Sequence, residues 1–375
     1  MASPLKALIQ TDYGDPAKVL ELRDMPELAV GVDEVIIALE AAVVHAADAR
    51  TVLGGDGFRK KLPRTPGYEG VGRVRTVGRE VKDIKPGTRV FAPVGSGTFR
   101  EEISVPAAGL RRAPEGDPVQ LAVLSMSPVT ALLMLQDFVK LQPDDWVIQN
   151  AANSPVGRMV IQVAKDLKLR VVNVVKSTPL IGELKEIGAS AVIIDTDDLR
   201  DRVAAVTQGA EIKLGLDAVA GVASARLAAC LTEQGTLINY GSLSGEAVQI
   251  PSELLAARSL RVCGMNPAKQ LASHTAEESK ALDDRIAVLL AAGKLHARVA
   301  ATYQLDQAIE AVRHAARAGD KRYGKVVLRI REIPAPASTP QEAAPLQTVS
   351  DNPAEPATAP APATEAATDS AASAA

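Results

Sequence analysis

Aromatic side chains make up only 3% of this 375-residue chain: one tryptophan, four phenylalanines and five tyrosines. Any core must therefore pack aliphatic groups, and 47% hydrophobic residues are enough to fill more than one domain. Cysteine is almost absent. Cys230 and Cys263 are too few and too far apart for a disulfide framework or a zinc lobe. Free thiols in a reducing compartment are expected. No apolar run reaches membrane-spanning length, and the opening MASPLKALIQTDYG has no charged start followed by a long apolar core. The expected setting is cytoplasmic, with no membrane partner. An excess of positive charge is missing too. The net charge is −3, which argues against a nucleic-acid-binding surface.

The deficit of bases is concentrated at one end. Residues 332–375 are mostly Ala, Pro, Thr and Ser with six acids, and there is no Lys or Arg after Arg331. Such a segment cannot bury enough apolar surface to offset its ordering entropy. It is expected to be a disordered, solvating Ala/Pro-rich tail.

In the body, short apolar runs punctuated by Gly, Pro and Asp come first: Leu5–Gln10, Val35–Leu39, Gly70–Val77 and Thr88–Pro93. From about Val123 helices and strands alternate. Pro128–Leu141, Val156–Leu167, Leu180–Ile187, Leu199–Val206 and Ala223–Leu231 have helical spacing. Val147–Gln149, Arg170–Val175, Ala191–Ile194, Leu214–Ala218 and Thr236–Tyr240 read as strands between them. Two helices, Ala276–Ala292 and Leu305–Ala318, precede a last strand, Lys325–Ile330. This alternation predicts an α/β fold: a doubly wound parallel sheet of Rossmann type, inserted in a strand-rich domain to which the last strand returns.

The stretch QNAANSPVG, residues 149–157, lies where the first parallel strand turns into a helix. A dinucleotide-binding turn carries three glycines there, for the tight turn, for close approach of the pyrophosphate, and for helix–strand contact. Here the positions hold Ala152, Ser154 and Gly157. Only the third glycine is kept, but the Ser154 hydroxyl can bond a phosphate oxygen. Pro155 suits a first helical turn and removes one donor from the anion site. These residues alone fit an ordinary strand–turn–helix as well. About 20 residues on, an NAD-binding domain carries an acid for the ribose 2′-hydroxyl. This chain has Lys176 and Ser177, a cation and a hydroxyl that suit a 2′-phosphate. The cofactor expected is NADPH.

Residues 147–175, VIQNAANSPVGRMVIQVAKDLKLRVVNVV, resemble the medium-chain dehydrogenase/reductases, and within them the zinc-free 2-enoyl thioester reductases of mitochondrial type. Pro128-Val129-Thr130-Ala131, Asn239-Tyr240-Gly241, Gly67-Tyr68-Glu69-Gly70-Val71-Gly72 and Lys325-Val326-Val327-Leu328 support the resemblance, which spans about residues 5–330. It implies a GroES-like catalytic domain over 1–124, with 295–331 returning to it, and a Rossmann NADPH-binding domain over 125–294. By the same resemblance Asn153, Ser154, Pro155, Val156 and Gly157 fall on the pyrophosphate turn. Lys176, Ser177 and Thr178 fall on the 2′-phosphate segment. Tyr240, Gly241, Ser242 and Leu243 fall on the loop after the fifth strand, and Met265, Asn266, Pro267 and Ala268 after the sixth. Ser127 and Thr130 fall beside the nicotinamide, and Lys325 begins the last strand. Zinc-using relatives have a cysteine at the place of His45, a histidine at the place of Tyr68, and a four-cysteine lobe that is absent here. No metal is expected, since His45 and Glu69 alone do not make a three-ligand site.

The resemblance implies hydride transfer to an activated C=C, with a 2-enoyl thioester of coenzyme A or acyl carrier protein as substrate and a homodimer as the assembly. The basic run Arg59-Lys60-Lys61 with Arg64 could meet the phosphates of either carrier, although a solvated charge run is the better explanation of these four residues. At the catalytic centre the sequence departs. The family's tyrosine position holds Asp56, in Gly54-Gly55-Asp56-Gly57-Phe58, and its tryptophan position holds Asn266. Asp56 is the candidate catalytic residue by position, but an ionised carboxylate cannot donate to an enolate, and a turn aspartate explains it as well. Two alternatives stay open: an NADPH-dependent quinone or enone oxidoreductase, and a catalytically weak NADPH-binding sensor or scaffold.

Overall fold

The computed structural model describes residues 4–54, 59–317 and 324–331. Asp56 and the Ala/Pro-rich segment from Glu332 lie outside them. The chain starts with an antiparallel ribbon, β1 (Leu5–Gln10) and β2 (Leu20–Met25). Next come β3 (Glu34–Val44), β4 (Glu69–Val77), β5 (Arg89–Phe91) and β6 (Glu102–Pro106). The parallel strands are β7 (Trp146–Gln149), β8 (Arg170–Val175), β9 (Ala191–Ile194), β10 (Ile212–Asp217), β11 (Thr236–Asn239) and β12 (Arg261–Gly264). β13 (Val299–Gln304) and β14 (Lys325–Arg329) close the described fold.

The parallel sheet has the order β12-β11-β10-β7-β8-β9. Strand order reverses at β7, so the crevice at the C-terminal ends of β7, β8 and β10 is the place for a ligand. The second sheet has the order β13-β14-β3-β4-β5, with β6 also on β3. β14 runs antiparallel to the second half of β3, pairing Val326 with Val44, while β6 pairs with its first half. The last strand thus returns to the N-terminal sheet, as the sequence predicts.

β3 outruns its expected end at Leu39 because Glu40–Val44 are also buried. β2, β6 and β13 and the helix Ala46–Leu53 have no counterpart among the predicted elements, whereas β12 is the sixth strand that the resemblance implies before Met265. β2 (LELRDM) and β13 (VAATYQ) lie partly exposed and lack a sustained apolar face, which is why periodicity misses them. Two expected helices are shorter than predicted. The one over 128–141 spans Ser127–Gln136, and the one over 305–318 is a 3-10 turn, Leu305–Gln307, then Ala308–Ala315.

The helix Ser127–Gln136 is buried from Ser127 to Leu135 and belongs to no single domain. Its apolar cluster takes in Ala41, Val43, Val71 and Val327 from the second sheet and Val147, Leu214, Leu216 and Ile238 from the parallel one. A helix apolar all round must be enclosed on every side. Each enclosed leucine stabilises by about 1.5–3 kcal/mol.

At the open end of β10 stands a fully buried acid, Asp217. Its Oδ1 accepts from Asn150 Nδ2 at 2.6 Å and from the Val219 and Ala220 N–H groups at 3.0 Å each. Its Oδ2 accepts from Ser224 Oγ at 2.6 Å and Asn239 Nδ2 at 3.1 Å. The Ala218 N–H donates back to Asn150 Oδ1 at 2.8 Å. Burial pushes the carboxyl up, but these donors outweigh it and hold its pKa below the usual carboxylate value. Asp217→Asn should cost about 2–3 kcal/mol, read as the midpoint of urea unfolding, because the new amide faces donors. A lowered folded pKa gives stability that is present above the unfolded value and lost as pH falls through the folded one. The deficit should therefore persist at pH 5 and narrow below about pH 4.

Candidate functional site

A cavity of about 480 Å³ opens at the reversal point of the parallel sheet. Ser154, Asn153, Lys176, Ser177, Ser127 and Lys325 line it, with Pro155 and Leu243. Thr130, Val156, Gly157, Thr178, Tyr240, Gly241, Ser242, Met265, Asn266, Pro267 and Ala268 are not on its wall.

The turn after β7 is built without its first glycine. Ala151 takes the left-handed conformation instead, with φ +47°. Ser154 caps the helix Pro155–Asp166, its Oγ accepting from the Gly157 N–H at 3.1 Å. Gly157 is there for contact: a Cβ would come within 2.7 Å of the Ala151 oxygen and 2.8 Å of Ala152. This is the third-glycine role expected from the sequence, and it brings the helix N-terminus, a site favourable to anions, onto the cavity.

Several expected site residues are committed elsewhere. Thr130 Oγ1 donates to Met126 O at 2.8 Å within its own helix, and Asn266 caps the helix Pro267–Ala272 by accepting from the Lys269 N–H at 3.1 Å. Tyr240 is close to Ser154; burial pushes its phenol above the ordinary value, and its hydroxyl has no partner among the described residues. In the basic run, Arg64 Nε donates to Gln10 Oε1 at 3.0 Å and Arg59 lies 5.2 Å over the Tyr13 ring, whereas the side chains of Lys60 and Lys61 lie on the exposed surface.

The structure adds residues that sequence reasoning missed. Arg158 and Arg298 both line the cavity and grip one carboxylate, Glu183, with Arg158 Nη2 at 2.9 Å. Arg158 follows Gly157 on an amphipathic helix, and that helical pattern hides its role.

A second group of charges meets the cavity at Lys325. Lys325 Nζ lies 2.9 Å from His45 Nδ1, and His45 Nε2 lies 3.1 Å from Glu69 Oε1. Ser125 Oγ donates to the other Glu69 oxygen. Burial opposes ionisation of Glu69, but the cationic His45–Lys325 pair and the bond from Ser125 hold its pKa at about 2. Asp48 is fully buried beside them and accepts the His45 N–H at 2.8 Å through Oδ2. Its Oδ1 has no partner among the described residues. Burial pushes Asp48 up to about 6, reinforced by Glu69 and opposed by His45 and Arg64.

A raised folded pKa gives stability that is full below the unfolded value and lost as pH rises through the folded one. The Asp48 contribution is therefore present below about pH 4 and gone above about pH 6. Asp48→Asn keeps the bond to the His45 N–H and buries no charge. It should raise stability at pH 7.5 by up to about 3 kcal/mol and change nothing at pH 4. Thermal melts at the two pH values check this.

The geometry agrees with comparison to known proteins. Residues 155–284 match the family model for zinc-binding dehydrogenases, and residues 31–115 match the alcohol dehydrogenase GroES-like domain. A mouse mitochondrial enoyl-acyl-carrier-protein reductase is 35% identical over 302 residues, covering 79% of this chain and 81% of the relative. Its human counterpart is 36% identical over 300 residues, covering 78% and 80%. Among solved structures, a mutant form of enoyl thioester reductase from Candida tropicalis superposes with a TM-score of 0.74 at 25% identity, covering 88% of this chain and all of that one. A mycobacterial quinone oxidoreductase superposes with a TM-score of 0.77 at 26% identity, covering 87% and 99%. The chain belongs to the medium-chain dehydrogenase/reductase family, in the branch of the enoyl-acyl-carrier-protein reductases.

Proposed function

We propose that this protein is an NADPH-dependent reductase of activated C=C bonds, with a 2-enoyl thioester carried by coenzyme A or acyl carrier protein as its substrate. The observation that carries the reading is the placement of Ser154, at a helix N-terminus, and Lys176–Ser177, at the end of β8, on one cavity wall. The residues fit the cofactor. Neighbouring helix N–H groups and the Ser154 hydroxyl suit a pyrophosphate, and a cation with a hydroxyl suits a 2′-phosphate. Asn153, Pro155, Val156, Gly157 and Thr178 shape these two ends. Leu243, Ser127 and Lys325, which do line the cavity, belong to the nicotinamide side. NADPH supplies the hydride.

The chemistry proposed is zinc-independent. Where zinc-using relatives hold their metal, this chain offers one imidazole and one carboxylate, His45 and Glu69, with an ammonium, Lys325, against the imidazole. A cation does not fit beside an ammonium with two protein donors. The exposed Lys60 and Lys61 are suited to meet the carrier's phosphates. Cys230 and Cys263 are free thiols, in keeping with a reducing, cytoplasmic setting. Val262 on the edge strand β12 is 41% exposed, a surface that a second copy would cover in a homodimer.

A quinone as acceptor is the second reading, favoured by the likeness to the mycobacterial quinone oxidoreductase. NADPH absorbance followed with a short 2-enoyl-CoA and with a quinone separates the two. Turnover only on the quinone would reject the thioester.

The cofactor assignment has its own test. Lys176→Asp should weaken NADPH binding by about tenfold or more, the worth of one charge-assisted hydrogen bond, and leave NADH nearly unchanged. Equal losses for both cofactors, measured by fluorescence titration, would sink the role of Lys176 at the 2′-phosphate.

A further inference from the structure

Reduction of an enoyl thioester needs a proton at Cα as well as a hydride at Cβ. The charge that develops on the thioester oxygen also needs a positive field. The described cavity wall offers few acids. Arg158 and Arg298 do not give up protons near neutrality. Lys176 and Ser177 stand at the end of β8, on the adenosine side of the reversal point. Glu183 faces two guanidiniums, and Asp195, also on the wall, is paired with Arg226 Nε at 2.6 Å. On the other side, with Ser127, is Lys325.

We propose, resting on the reading of the protein as an enoyl thioester reductase, that Lys325 is the catalytic acid for Cα and that His45 and Glu69 position it. Only one proton fits on the 2.9 Å line between Lys325 Nζ and His45 Nδ1. One of the two nitrogens therefore accepts, and the pair holds that proton between them. Glu69, ionised and bonded by Ser125, faces the other imidazole nitrogen and fixes the ring. Among the described residues, Asp48 is a further charged group beside His45, and Arg64 acts in turn on Asp48. His45 also begins the helix Ala46–Leu53, and its N–H donates to Asp48, so its backbone is anchored.

The step balances. Once hydride has reached Cβ, the C=C electron pair lies on Cα and the thioester oxygen. The N–H bond of Lys325 breaks as the C–H bond at Cα forms, leaving a neutral amine that takes a proton from water at the cavity mouth. Before that, the ammonium stabilises the enolate oxygen through its charge. A quinone is protonated on oxygen, which water serves directly, so quinone reduction does not need this acid.

The test uses the full chain and the variants Lys325→Met, Lys325→Arg and His45→Asn. Turnover of crotonyl-CoA and of a quinone and the dissociation constant of NADPH are measured for each. At saturating NADPH, Lys325→Met and Lys325→Arg should lower kcat on crotonyl-CoA about 100-fold more than turnover of the quinone, the usual worth of an acid. Arginine keeps the charge and withholds the proton. His45→Asn should shift the pH profile of kcat on the thioester. Without substrate, the His45 imidazole nitrogen signals, assigned through His45→Asn, should move in Lys325→Met. Full thioester turnover by Lys325→Arg overturns the proposal, as does a loss found only in NADPH binding or shared by the quinone. A His45 signal indifferent to Lys325→Met overturns the pair itself. Wild-type protein that reduces the quinone but not crotonyl-CoA overturns the thioester reading and this proposal with it; active wild type with unresponsive variants overturns this proposal alone.

Discussion

The cofactor crevice depends on where the Asp217 carboxylate goes. β7, β10 and β11 end side by side, and each would leave a loop free to choose its own path. Asp217 takes donors from all three: Asn150 after β7, Val219 and Ala220 after β10, and Asn239 at the end of β11. A buried charge is costly unless its lone pairs are filled, and here the filling groups are the ones the crevice needs held still. The acid thus converts a desolvation cost into fixed positions for the loops. Asn150, bonded on both its oxygen and its nitrogen, hands that order to the turn that carries Ser154.

That order explains how a phosphate turn can survive the loss of two glycines. Glycine makes a left-handed turn cheap, but Ala151 adopts one at φ +47° because its surroundings determine it. The remaining glycine, Gly157, cannot be replaced in the same way, since a Cβ there meets backbone on the neighbouring turn. A motif reading that counts glycines underrates the site, and one that asks what each glycine does finds it.

Elements with one continuous physical cause were legible in the sequence. The parallel strands are short apolar runs between amphipathic helices, and their alternation carries the doubly wound sheet. That Ser154, Lys176 and Ser177 would meet on one wall was legible because a strand end and a helix start place them. What stayed hidden depends on residues far apart in the chain. Glu40 and Arg89 form a buried pair with both contacts at 2.8 Å, and nothing local to either announces the other. His45 and Lys325 meet because β14 pairs with β3, Val326 opposite Val44, across 280 positions. Arg298 reaches Glu183 from the segment that leads back to the second sheet.

This division has a consequence for how chemistry attaches to the fold. The cofactor wall is made by backbone: a helix N-terminus, a strand end and a close-packed turn. Side-chain changes there are tolerated as long as the turn keeps its shape, which is why the cofactor half keeps the family pattern. The reacting end is made by side chains from strands that meet only through sheet pairing. A single substitution there removes a proton donor without disturbing the fold, and another side chain on the same wall can take over. Membership of the family therefore bears most strongly on the hydride donor, while the proposed proton donor rests on the few residues around Lys325 and His45.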